Sequence, residues 1–369
     1  MPERAEGAPA TYVTSFPGVE VRSDLAVRWE RLDAVIFDVD GVLLDTHGSY
    51  PQVIAEVVRH YLRQQFEWPD APELVSAQDT EAFKLVGGFN SDWALARGAT
   101  LYALWRTLRF GRDDWTADRS AGPAIAEFTA RLPGPGLQAV HQLLASVGPD
   151  EVVREVESRY DGATIDRLCC EYYGGSDHCR AMFGFEPEAY RGPGLCNRER
   201  PRLDTRLIPP PLRVGVYTGR VAGGEVEFAL DKAGLRERCL PAAVITGDRW
   251  RKPDPQGLRE AARHLRPRLG LFVGDNLDDL WTVLNYQDER LGDGSDVARQ
   301  AEDEHVAAGS DVARQAEDEQ PPFLFAAVLG GAPGARAEEL FKAQGADLVA
   351  REPDALLRFL AAAVAAEGR

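Results

Sequence analysis

Six short apolar runs constrain this chain most: Leu32–Phe37, Leu212–Tyr217, Ala242–Ile245, Leu271–Val273, Phe323–Leu329 and Asp347–Ala350. None alternates cleanly between polar and apolar residues, so each reads as a strand buried on both faces, as in a parallel sheet. Between most of them lie helix-like stretches, Glu225–Ala233, Gln256–Leu265, Ala335–Gln344 and Pro353–Ala365. This alternation predicts an α/β fold, a doubly wound Rossmann-like parallel sheet. Four of the runs end in conspicuous polar residues: Asp38, Thr218, Asp248 and Asp275. In such sheets the ligand crevice lies beyond the carboxyl ends of the strands, so four polar ends at one edge mark a candidate site.

The alternation breaks between Asp45 and Arg206. Tyr50–Phe66, Ile125–Arg131, Leu137–Ala145 and Glu151–Tyr160 read as amphipathic helices, separated by Gly- and Pro-rich joints such as Leu132–Gly136. The expected organisation is a split α/β core over 25–46 and 206–369, with a mainly helical domain inserted over 47–205. A second interruption spans 287–320. There Gly294–Glu304 reads GSDVARQAEDE and Gly309–Glu319 repeats it unchanged, a single tandem duplication. This stretch holds 11 Asp/Glu against 3 Arg, so it reads as a solvated surface insertion within the core.

The chain has 369 residues with 42 Lys/Arg against 59 Asp/Glu, a formal charge of −17. That balance argues against nucleic-acid partners and anionic membrane surfaces, which need clustered cations. No stretch approaches the roughly 18 apolar residues of a membrane span, and Met1–Asp24 has no apolar leader segment. Five Cys, an odd number, form no disulfide framework, so a cytoplasmic protein is expected. Cys169, Cys170, His178 and Cys179 lie close in sequence but fit no zinc spacing, and read as packing residues. Only four of the basic residues are Lys, namely Lys84, Lys232, Lys252 and Lys342.

The chemistry-bearing residues cluster at the strand ends. The first run leads into Asp38-Val39-Asp40-Gly41, where carboxylates at i and i+2 point the same way and can share one small centre. One could attack while the other shuttles a proton, and a divalent cation would relieve their repulsion. The second leads into Thr218-Gly219-Arg220, whose hydroxyl and turn N–H make an oxyanion cradle. The third is followed by Lys252-Pro253, which biases Lys252 towards an extended backbone where it can neutralise developing negative charge. The fourth is Gly274-Asp275-Asn276-Leu277-Asp278-Asp279, with Asp275 placed to join Asp38 and Asp40 around Mg²⁺ and Asp278 and Asp279 also open to a helix-capping role.

Taken in order, these pieces resemble the haloacid dehalogenase-like (HAD) hydrolases, and the helical insertion after the first motif looks like the cap of subfamily IA. The resemblance implies that Asp38 is the nucleophile and Asp40 the general acid/base. It implies that Thr218 and the Gly219 N–H hold phosphoryl oxygens and that Lys252 balances their charge. Asp38, Asp40 and Asp275 would bind Mg²⁺, with Asp279 orienting Asp275 or Lys252. A Mg²⁺-dependent phosphatase acting on a small phosphorylated metabolite through an aspartyl-phosphate is therefore expected.

Two further stretches, Gly87-Gly88-Phe89-Asn90-Ser91-Asp92-Trp93 and Tyr173-Gly174-Gly175 followed by Gly194–Glu199, resemble a small group within that subfamily. Phe89, Asn90, Asp92 and Trp93 could form a substrate lid or a turn between helices. A phosphomutase would keep the same four motifs. A non-catalytic binding or regulatory module using the acidic insertion is the alternative from another class, disfavoured because it has no need of all four.

Overall fold

The computed structural model describes residues 10–25, 29–89, 91–117, 120–301, 321–329 and 334–366. Its strands are β1 (Tyr12–Phe16), β2 (Val19–Arg22), β3 (Leu32–Phe37), β4 (Leu44–Asp45), β5 (Arg200–Pro201), β6 (Arg213–Tyr217), β7 (Cys239–Ile245), β8 (Leu269–Gly274), β9 (Phe323–Val328) and β10 (Leu348–Ala350). Eight of them form one sheet in the order β1-β2-β10-β9-β8-β3-β6-β7. The six from β10 to β7 run parallel, as the unbroken apolar runs require.

Both faces of the central strands are dry. On β3, Val35 and Phe37 join one core with Val214, Val216, Leu271 and Val273. That core is closed by Val226, Ala229 and Leu230 of the helix Gly224–Lys232 and by Leu356, Leu357 and Leu360 of the helix Pro353–Ala366. Ala34 and Ile36 point the other way, towards Tyr217, Phe272 and Phe325. Leu258, Ala261, Ala262 and Leu265 of the helix Gln256–Leu265 close that face, with Leu280, Val283 and Tyr286 of the helix Leu277–Ala301. Successive strand residues point to opposite faces, so a strand covered on both sides must be apolar throughout.

The sheet extends further than the apolar runs suggest. β1 and β2 form an antiparallel hairpin, and β2 pairs antiparallel with β10 through Leu348↔Val21 and Ala350↔Val19. The α/β unit therefore includes residues well before position 25, where the core was expected to begin. The strand β1 is largely exposed, so no apolar run announces it. Gly18 (φ +78°) in the Pro17-Gly18 turn was the available signal.

The chain divides into two compact units, Met1–Asp45 with Arg200–Arg369, and Thr46–Glu199. The return falls before the expected position 206 because Arg200 and Pro201 pair with Asp45 and Leu44 as a two-stranded ribbon. The second unit is helical: α1 (Tyr50–Gln65), α2 (Thr80–Val86), α3 (Asp92–Phe110), α4 (Ile125–Thr129), α5 (Gly136–Val147), α6 (Asp150–Arg159) and α7 (Gly162–Phe183). Pro51 opens α1, where its missing N–H costs nothing. Val53, Ile54, Val57, Val58, Tyr61 and Leu62 then bury one face at helical spacing. α3 is buried on most sides and packs on α1, α5, α6 and α7. At Gly175, inside α7, the backbone takes φ +60°, ψ −166° and bridges Pro193. A Cβ there would lie 2.1 Å from the Gly194 nitrogen, so only glycine allows the approach.

The first copy of the acidic repeat continues the helix Leu277–Ala301 as far as Ala301, while residues 302–320, with the second copy, lie outside the described residues. Among the described residues no helix is long and apolar enough to cross a membrane.

Candidate active site

Asp38 follows the last residue of β3, and its N–H still donates to the Val273 carbonyl of β8 at 2.9 Å. The side chain is buried. Its Oδ1 accepts the Val39 N–H at 2.8 Å and faces Lys252 Nζ at 2.8 Å. Both of these contacts fall on Oδ1. Burial pushes the Asp38 carboxyl well above its ordinary value; Lys252 opposes that rise, while Asp279, Asp275 and Asp40 add to it.

Lys252 sits between two carboxylates, with Asp279 Oδ1 at 2.6 Å and Asp38 Oδ1 at 2.8 Å. Its ammonium also lies 5.8 Å from the ring centroids of Tyr217 and of Phe272. Burial alone would lower its pKa, but Asp279 and Asp38 raise it well above the ordinary lysine value, so it stays charged. A buried ammonium is stable only with such partners.

Asp279 does two jobs. Its Oδ2 accepts the N–H groups of Asp275 (3.2 Å) and Asn276 (3.3 Å), and its own N–H donates to Asn276 Oδ1 at 3.1 Å. This reciprocal pair caps the helix that begins at Leu277. Its Oδ1 is the one that holds Lys252. The helix-cap reading and the orienting reading of Asp279 thus describe one residue.

Asp275 lies over Gly41, which has φ +77°. A Cβ on Gly41 would sit 1.7 Å from Asp275 Oδ2, so the bare backbone makes room for that carboxylate. Asp38, Asp275 and Asp279 offer oxygen atoms within 4.8 Å of one another. Hard oxygen donors so close together suit a divalent cation.

Asp40 was expected in that carboxylate group, but its side chain is directed to Arg220. Nη2 of Arg220 lies 2.7 Å and Nε 3.1 Å from Asp40 Oδ1. The guanidinium is buried and needs a counter-charge, which Asp40 supplies. Arg220 is the site residue that sequence reasoning did not single out. One arginine among 38 carries no signal until the fold buries it.

Thr218 is fully buried at the end of β6. Its N–H is committed to the Ile245 carbonyl at 3.0 Å, and its hydroxyl accepts the Arg220 N–H at 3.2 Å. Gly219, next in the turn, is exposed. The structure thus brings Asp38, Thr218, Lys252, Asp275 and Asp279 to one edge of the sheet, at the ends of adjacent strands.

Of the expected lid residues, Phe89 is instead a packing residue of the helical unit. It is 5% exposed and meets Phe83 edge-on at 5.3 Å, over Gly98, whose lack of a side chain makes the space. Asp92 pairs with Lys84 at 3.3 Å in the first turn of α3. Trp93, half-buried, lies against Tyr50 and Tyr173, which stack on each other at 4.8 Å. Asn90 lies outside the described residues. Cys169 and Cys179 are buried, which raises both thiols, and His178 Nε2 contacts Asn197 Oδ1 at 2.9 Å.

No protein family and no curated protein matches the chain in sequence. Solved structures do match its fold. The phosphatase Tt82 from Thermococcus thioreducens is similar at 24% identity over 69% of this chain and 88% of its own, with a TM-score of 0.50. Northeast Structural Genomics Consortium target ZR25 is similar at 14% identity over 88% of this chain and 97% of its own, with a TM-score of 0.56. A HAD-superfamily hydrolase of subfamily IA, variant 1, from Geobacter sulfurreducens gives 15% identity over 89% and 97%, with a TM-score of 0.38. The doubly wound, mostly parallel sheet, with Asp38, Thr218, Lys252 and Asp275 lying after β3, β6, β7 and β8, is the fold that this chain shares with phosphatase Tt82.

Proposed function

We propose that this chain is a cytoplasmic Mg²⁺-dependent phosphatase that hydrolyses a small phosphomonoester through an aspartyl-phosphate on Asp38. One observation carries the reading. Lys252 and the Val39 N–H both hold Oδ1 of a buried Asp38, so a single carboxylate oxygen, Oδ2, is presented as the nucleophile. The phosphatase reading is also supported by the fold shared with phosphatase Tt82.

In the first step Asp38 Oδ2 bonds to phosphorus as the bond to the leaving oxygen breaks, and Asp40 gives that oxygen its proton. In the second, a water oxygen bonds to phosphorus as the Asp38–phosphorus bond breaks, and the water proton passes to Asp40. Inorganic phosphate leaves and both carboxyl groups are restored. The Thr218 hydroxyl and the exposed Gly219 N–H would donate to the phosphoryl oxygens, and Lys252 would offset their charge. Asp38 and Asp275 would hold Mg²⁺, with Asp279 fixed beside them by Lys252 and by backbone N–H groups. When bound, the ion supplies charge neutralisation for crowded carboxylates and phosphoryl oxygens.

The test is phosphate release from a panel of phosphorylated metabolites and a generic aryl phosphate, with Mg²⁺ and with Asp38→Asn as control. Release by the wild type and its loss in Asp38→Asn are expected. Wild-type activity in Asp38→Asn would refute the mechanism.

A further inference from the structure

Arg220 touches two of the proposed catalytic groups with its two ends. Its backbone N–H donates to the Thr218 hydroxyl at 3.2 Å, and its guanidinium meets Asp40 Oδ1 at 2.7 Å and 3.1 Å and Oδ2 at 3.3 Å. The residue is 3% exposed, whereas the Asp40 side chain it holds is 33% exposed. Asp40 lies past the end of β3, on a turn whose next residue, Gly41, has a positive φ. A carboxylate that open, on such a turn, has rotamer freedom to lose. A planar guanidinium fixed by burial removes that freedom by contacting both oxygens.

We propose that Arg220 is the positioning residue of the site: it fixes where the Asp40 carboxylate stands relative to the Thr218 hydroxyl. Arg220 acts through Asp40 and moves no proton, because a guanidinium has no proton to give at working pH. Lysine cannot take its place, since a single ammonium does not fix a carboxylate plane. The inference rests on the reading of Asp40 as the proton-transfer group. Misplacing such a group by about 1 Å costs on the order of 100-fold in rate.

The chemistry separates the two halves of the reaction. An aryl phosphate has a leaving group that departs without a proton, so the first step survives a misplaced Asp40. The second step still needs Asp40 to take a proton from water. Arg220→Met is therefore expected to lower steady-state kcat on an aryl phosphate about 100-fold with KM within about threefold. It should also release a burst of aryl alcohol and leave acid-stable phosphate on Asp38, as should Asp40→Asn. Arg220→Lys should fold and behave in the same direction. The double variant Arg220→Met/Asp40→Asn should be no slower than Asp40→Asn alone.

Additive losses in the double variant would overturn the inference, as would Arg220→Lys with a wild-type kcat and no burst. Should Arg220→Met not fold, Arg220→Lys alone and combined with Asp40→Asn gives the same cycle. Failure of the phosphatase reading looks different: no phosphate release by the wild type, or full turnover in Asp38→Asn, whatever Arg220 does.

Discussion

Lys252 Nζ and Asp279 Oδ1 stand 2.6 Å apart, with Asp279 completely buried. The pair joins the third motif to the fourth, because the other oxygen of Asp279 accepts the Asp275 N–H and caps the helix that follows Asp275. Asp279→Ala would leave a buried ammonium short of a partner and two N–H groups without an acceptor. Removing one member of a buried pair costs about 3–5 kcal/mol, so urea unfolding should show a loss of that order. Asp279→Asn, which can still accept the N–H bonds, should lose less. An unchanged midpoint in Asp279→Ala would contradict this account.

Lys252→Arg keeps the charge and changes its shape. The ammonium sits between two carboxylates and near two ring faces, a point-charge geometry that a planar fork does not reproduce. A fall in kcat of about 100-fold or more is expected, the scale of losing one fixed electrostatic donor. Steady-state kinetics on an aryl phosphate measure it, and a kcat within a few-fold of wild type would show that charge alone suffices.

Gly41→Ala tests the carboxylate lying over that turn. The added Cβ collides with Asp275 Oδ2, and the positive φ makes alanine costly by about 1 kcal/mol or more. Displacing a proposed Mg²⁺ ligand should raise the half-saturating Mg²⁺ concentration at least about 10-fold. The shift in melting temperature on adding Mg²⁺ should shrink in parallel. An unaltered Mg²⁺ requirement would remove Asp275 from the ligand set. Chelation of the wild type should abolish phosphate release, with recovery when Mg²⁺ is returned.

Asp347 offers a pH test away from the site. Burial raises its carboxyl, opposed by the Phe325 N–H at 2.9 Å and by Arg22 at 3.2 Å. The folded chain therefore holds this proton to higher pH than the unfolded chain, whose carboxyl titrates near the ordinary value of about 3.9. The contribution to stability is complete below that value and is lost as pH rises through the folded one. The stability of wild type relative to Asp347→Asn should thus decline as pH is raised above about 4. A difference that is flat, or that grows with pH, would be inconsistent with a raised Asp347.

The parallel core was legible because burial on both faces leaves a local trace. Val35 and Phe37 serve one core and Ala34 and Ile36 the other, so the run cannot alternate. The strand-end residues were legible for a related reason: Asp38 and Thr218 follow those runs directly. What sequence did not reveal depends on tertiary contacts. β1 is an exposed edge strand, and β4 and β5 are two residues each, too short for any periodicity. Arg220 looks like any other arginine until Asp40 is folded against it. Phe89 sat in a polar, glycine-rich stretch that suggested a lid, and only Gly98, nine positions on, explains why its ring turns inward.

The ribbon of β4 and β5 makes the helical unit a replaceable cartridge. Leu44 faces Pro201 and Asp45 faces Arg200, so the chain leaves the sheet and re-enters it through one hydrogen-bonded gate. Within the unit, Ser49 near its start donates to Glu199 at its end at 3.0 Å. Everything between is, for the sheet, the tip of a hairpin whose ends are already joined, and loop length beyond that point costs little closure entropy. Such a unit can be lengthened, exchanged or trimmed to a short turn while the registers of β3, β6 and β8 are kept.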